Sequence, residues 1–153
     1  MTTGSLTRGR KGALLAIAIG GLVAGSFDLT SAFIIYGVNV PKVIAGGLLG
    51  RSAFRGGAGV WMLGVFLQYF IATLAAAVYY VASRPLTFLK EHALVCGLFF
   101  GIAVYLVMNV IVLPLCALHV TSPLPLHSLI QGLLVHMILI GLPIAYSVRL
   151  FSK

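Results

Sequence analysis

The chain has 153 residues, of which 61% are hydrophobic and only 8% charged, and its formal net charge is +8. A soluble domain is about half apolar and about a quarter charged, and one this short buries only around two-thirds of its unfolded surface. The composition therefore excludes a water-soluble enzyme, a nucleic-acid reader and a disordered tail, and with a mean hydropathy of +1.14 it places the chain in the lipid bilayer.

A spanning helix needs about 20 mostly apolar residues. The first such run is Ala13–Tyr36, behind the basic residues Arg8, Arg10 and Lys11. It is longer than the roughly 7–15-residue apolar core of a signal peptide, and it reads as a retained signal-anchor. Residues 39–59 come next and are neither a tight turn nor a polar linker. Pro41 suits the first turn of a helix, Ile44 and Leu48 share one side of it, and Lys42, Arg51 and Arg55 recur along it. The glycines at 46, 47, 50, 56, 57 and 59 argue against a long helix. This pattern predicts a short interfacial helix or a re-entrant segment. Three further spans follow, Val60–Val81, Ala93–Leu115 and Leu126–Val148, and Pro143 predicts a kink or an early end in the last. No period-2 alternation points to barrel strands. The fold class is all-α: a single polytopic membrane domain over residues 1–153, a four-transmembrane-helix bundle.

Four spans place both ends of the chain on one side. That side holds Arg8, Arg10, Lys11, Arg84, Lys90, Arg149 and Lys153, against Lys42, Arg51 and Arg55 on the other. The excess predicts that both termini are cytoplasmic, so the positive charge is a topology signal.

Each span carries one strongly polar residue: Asp28, Gln68, Asn109 and His136. Such groups are expensive in hydrocarbon and mark functional candidates. At a spacing of four, each lies on a ridge of small residues. The ridges include Gly20 and Ala24 before Asp28, Gly64 before Gln68, Gly97 and Gly101 before Asn109, and Gly132 before His136. Small-residue ridges are helix contact faces in membranes. At about 1.5 Å per residue the four polar groups fall within a layer roughly 6 Å deep. The layer reads either as interhelical hydrogen bonding or as a proton or ion relay with Asp28 and His136 as its titrating pair. Asp28 is the one acid inside a span, and Arg51 or Arg55 are its candidate ion-pair partners, folding back from the 39–59 connection.

Other chemistry does not assemble. Cys96 and Cys116 would lie about 30 Å apart along a helix, too far for a disulfide. His119 and His127 flank Pro123 and Pro125 without an acid or thiol to complete a metal site, and no nucleophile signature is present. No catalytic residue, metal or cofactor is expected.

Several stretches carry a family resemblance: Leu48-Leu49-Gly50-Arg51 with Ala53-Phe54 and Gly56-Gly57, Met108-Asn109 with Pro114-Leu115, and His136 followed by Gly141-Leu142-Pro143-Ile144-Ala145. With Ala24-Gly25 and Asp28, they resemble small four-span bacterial inner-membrane proteins of the YagU-like kind, over roughly residues 20–146. The resemblance implies a bacterial plasma membrane and supplies no reaction. In that group a His often stands where this chain has Gln68, which leaves its layer one titratable group short. The expected role is that of a non-enzymatic structural or accessory subunit, self-associating or joined to other membrane subunits. The alternative is a small proton, ion or solute transporter or channel using Asp28, His136 and Arg51.

Overall fold

The computed structural model describes residues 3–119 and 125–152, with side chains from Arg10 onward. Among them there is no strand. Four helices are long and apolar enough to cross a membrane, over Arg10–Tyr36, Ala58–Ala82, Ala93–Leu115 and Leu126–Phe151. In hydrocarbon every backbone N–H and C=O must find its partner inside the chain, and an unbroken helix does this with local bonds alone.

Helix α1 runs Thr3–Tyr36. It ends at Gly37, whose φ of +85° is a left-handed conformation open to glycine at no steric cost, and whose N–H closes the last turn on the Phe33 carbonyl at 3.0 Å. The connection holds a ten-residue helix, α2 (Val40–Leu49), with Pro41 in its first turn, followed by a tight 3-10 turn over Gly50–Arg55. Helix α3 covers Ala58–Ala82. Ser83 then turns its hydroxyl back to the Tyr80 carbonyl at 2.7 Å, and Pro85 prevents the helix from continuing. A single turn, α4 (Phe88–Glu91), leads into α5 (Ala93–Leu115), and the last span is α6 (Leu126–Phe151).

Gly12 lies against the Phe151 carbonyl, so the start of α1 and the end of α6 share one end of the bundle, the terminal face. Helix α4 packs there too, while α2 and the 3-10 turn sit at the opposite, distal face. The helices do not close a square. Helix α1 packs along both α3 and α6, and α5 packs along α6, giving the lateral order α3–α1–α6–α5. Helices α3 and α5 meet towards the terminal face. There the Tyr79 ring abuts Phe100 edge-on at 4.9 Å, and the Tyr79 hydroxyl donates to the Leu89 carbonyl at 2.9 Å. Towards the distal face α2 lies along α3, and the Ala117 N–H just beyond α5 bonds the Gly47 carbonyl at 2.8 Å.

The core is built of small residues. Ala16, Ala24, Ala76, Ala93 and Ala145 are buried with Ile140, Ile144, Val148, Tyr79 and Tyr80, most of them in the terminal half. Where bulk is absent the backbones come close. Gly20 packs on Ile144 and Ser147, and Gly97 and Gly141 meet backbone to backbone. Gly64 is seated on the backbone of Pro41, which brings α2 against α3.

The fourth span does not end at Pro143. Instead, α6 widens to a π-helical stretch over His136–Gly141 and resumes as α-helix through Phe151. The same happens in α5, where a π stretch over Val107–Val112 precedes Leu113-Pro114. A helical proline has no N–H and its ring crowds the carbonyl four residues back, here Val110 and Leu139. Widening the turn above it relieves that clash, and the Leu113 N–H accordingly sits over the Met108 carbonyl, five residues back.

Candidate functional site

The four intramembrane polar residues resolve into two separate clusters. In the first, the Gln68 side-chain amide donates from Nε2 to Asp28 Oδ2 at 2.6 Å, joining α3 to α1. One residue along, the Tyr69 hydroxyl pairs with the Ser26 hydroxyl at 2.9 Å, so two adjacent α3 side chains reach two α1 side chains. Gly21 and Gly25 make this possible. A methyl group on Gly21 would stand 2.6 Å from the Thr73 Cα, and one on Gly25 would stand 2.9 Å from the Tyr69 ring. Ser31 donates to the Asp28 backbone carbonyl at 2.8 Å and Thr30 to that of Ser26 at 2.7 Å, both satisfied within α1.

The second cluster lies between α5 and α6. His136 opens the π stretch, and its Nδ1 is 2.9 Å from the Gly132 carbonyl. A carbonyl only accepts, so Nδ1 carries the proton, which leaves Nε2 as the acceptor of the neutral ring. The imidazole stands edge-on to the Tyr105 ring, centroids 5.2 Å apart at 74°. Gly101 fits directly against the His136 backbone, and Gly132 lies beneath Tyr105. Asn109, inside the α5 π stretch, donates from Nδ2 to the Tyr105 carbonyl at 2.9 Å. The Tyr105 hydroxyl is buried and has no hydrogen-bond partner among the described residues.

The structure thus brings Asp28 to Gln68, and His136 to Tyr105, one turn from Asn109. It does not join the clusters through a hydrogen bond: the contacts of the Asp28 carboxyl and of His136 Nδ1 run to Gln68 and to Gly132. Arg51 and Arg55 sit on the exposed 3-10 turn at the distal face, while Asp28 takes its hydrogen bond from an uncharged amide. Of the ridge residues, Gly20 and Ala24 are buried on α1, Gly64 against α2, and Gly97 and Gly101 against α6. Gly132 is half-buried against α5.

Three contributors are not among the sequence-based candidates. Ser26 and Tyr69 neighbour Asp28 and Gln68 in the chain, and that adjacency was the available signal. Tyr105 has no such signal, because its significance depends on α6 lying beside α5. His119 and His127 each bond locally, to the Pro114 carbonyl and to Ser128, and no group of three or more metal-binding side chains forms among the described residues. Compared with protein-family models, curated proteins and solved structures, the chain finds no match in any of the three.

Proposed function

We propose that this chain is a non-enzymatic integral membrane subunit, structural or accessory in role, which acts as a homo-oligomer or beside larger membrane partners. The observation that carries this reading is the way its intramembrane polar groups are used. Asp28 is tied to Gln68 across α1 and α3, while Asn109 and His136 bond carbonyls of their own helices. Polar groups that serve a passage must face water, whereas those that serve packing are paired within protein, as these are. A bacterial plasma membrane is the setting implied by the YagU-like resemblance, and the excess of basic residues at the terminal face supports cytoplasmic termini. Native mass spectrometry of the chain extracted in mild detergent tests the proposal. A defined oligomer or a co-purifying membrane protein is expected, and a strictly monomeric, partner-free chain would overturn it.

A second reading, a small proton, ion or solute transporter or channel using Asp28, His136 and Arg51, draws on one observation. The unpartnered Tyr105 hydroxyl lies buried beside His136, where a file of water would find a donor and an acceptor. That reading requires flux into liposomes that disappears in Asp28→Asn. Absence of flux, or a variant with wild-type flux, removes it.

A further inference from the structure

The 3-10 turn over Gly50–Arg55 is fixed by its own small residues. Ala53 is fully buried, the Ser52 hydroxyl donates back to the Leu49 carbonyl at 2.7 Å, and the Gly56 N–H closes on the Ala53 carbonyl at 3.1 Å. Gly50, at a φ of +67°, packs beside Ala117 just beyond α5. With these positions held, Arg51, Phe54 and Arg55 are left exposed on one short turn. Leu48, just before it at the end of α2, is exposed as well.

The depth of this turn follows from the chain itself. Arg55 comes three residues before α3 enters its span at Ala58, and Trp61, a residue type that gathers at membrane–water boundaries, stands in the first turn of that helix. The turn's charge has no answer within the chain. There are only two acids: Asp28 takes the Gln68 amide inside the bundle, and Glu91 belongs to α4 at the terminal face. No carboxylate of this chain therefore stands at the distal face to meet Arg51 and Arg55.

We infer that the Gly50–Arg55 turn is a docking surface for anionic phospholipids of the distal leaflet, with their phosphates at Arg51 and Arg55 and Phe54 seated among their upper acyl carbons. Basic residues next to a span attract anionic headgroups. A lipid fits better than a soluble anion, which would leave Phe54 and Leu48 in water beside the cations. At the boundary between headgroups and acyl chains, the apolar and the charged side chains each find their own surroundings. A partner helix fits less well, because helices in membranes associate through small residues and this turn's exposed side chains are long. The inference rests on the four helices crossing a bilayer and is independent of the accessory role.

The test uses the protein's own single tryptophan, Trp61, in the full chain reconstituted into bilayers of phosphatidylglycerol and phosphatidylcholine in equal amounts. One of the two lipids at a time carries brominated acyl chains, which quench tryptophan on contact. Brominated phosphatidylglycerol is expected to quench Trp61 more strongly than brominated phosphatidylcholine. Arg51→Gln and Arg55→Gln should each lower this preference about five-fold, the effect of one basic group at an anionic surface. Arg51→Lys and Arg55→Lys keep the charge and should retain the preference, and Arg84→Gln, beyond the opposite end of α3, should leave it unchanged. Equal quenching by the two lipids would overturn the inference, as would Gln variants at 51 and 55 that keep the wild-type preference or Lys variants that lose it. So would an Arg84→Gln chain with the same loss, or a Trp61 that neither brominated lipid quenches, the mark of a protein partner over the turn.

Discussion

Gln68 meets Asp28 across the first two spans with a 2.6 Å hydrogen bond, and the only acid within a span is thereby paired with an amide instead of a cation. The bond depends on α1 and α3 lying close along Gly21 and Gly25. It makes Asp28 an element of helix packing first, whatever further chemistry it supports.

The two partners should respond differently to substitution. Asp28→Asn retains an acceptor for Gln68, so its effect on stability should stay within the ~0.6 kcal/mol typical of an interhelical hydrogen bond in membrane proteins. Gln68→Leu leaves the carboxyl without its donor and should cost about 1–3 kcal/mol. Unfolding in mixed micelles measures both, and an Asp28→Asn loss larger than that of Gln68→Leu would contradict this account.

Docking of α2 can be read through the protein's single tryptophan. Trp61 donates its indole N–H to the Val38 carbonyl at 2.8 Å and stacks on Phe33 with centroids 6.2 Å apart. Gly64, one turn further into α3, is seated on the Pro41 backbone. Gly64→Ala should therefore lift α2 from α3, cost about 1–3 kcal/mol as an overpacked contact, and change the Trp61 emission. Gly57→Ala, with nothing within 4 Å, should stay within about 0.5 kcal/mol and leave the emission unchanged.

Tyr105→Phe removes a buried hydroxyl that has no partner among the described residues. A group in that state destabilises the fold, so the substitution should be neutral or raise stability by up to about 1–3 kcal/mol. A clear loss on thermal unfolding would mean that the hydroxyl is hydrated in the membrane, which would favour the transport reading.

The α5–α6 seam should be sensitive and non-additive. Gly97→Ala and Gly141→Ala each place a methyl group against the opposing backbone and should each cost about 1–3 kcal/mol. Once one has pushed the helices apart, the second has less to displace, so the double variant should cost less than the sum of the two. Strict additivity in the unfolding free energies would show that these glycines do not share a contact.

The spans were legible because an apolar run of helical length has one stable form in hydrocarbon. The structure continues the first helix back to Thr3 and the last on to Phe151, past the strictly apolar residues. The spacing of Gly20, Ala24 and Asp28 marked the face that α1 presents inward. Which polar residues pair was not legible, because pairing follows the lateral order α3–α1–α6–α5 and the sequence carries no direct record of helix neighbours. That order separates His136 from Gln68. Pro143 was readable as a disturbance, but its outcome was not. A turn can break or widen above a proline, and here Gly97 and Gly101 leave room for the widened stretch of α6.

The alanine and glycine seam between α1 and α6 has a thermodynamic consequence. Gly20, Ala24, Ile144 and Ala145 leave lipid, not water, when the helices join. Little hydrating water is released, so the heat-capacity change that bends the stability curves of soluble proteins has little source here. Separation of these helices should give a nearly straight dependence of free energy on temperature, without weakening on cooling. Its strength should follow the packing of the surrounding acyl chains, so bilayer composition becomes the main external control on how firmly the bundle holds.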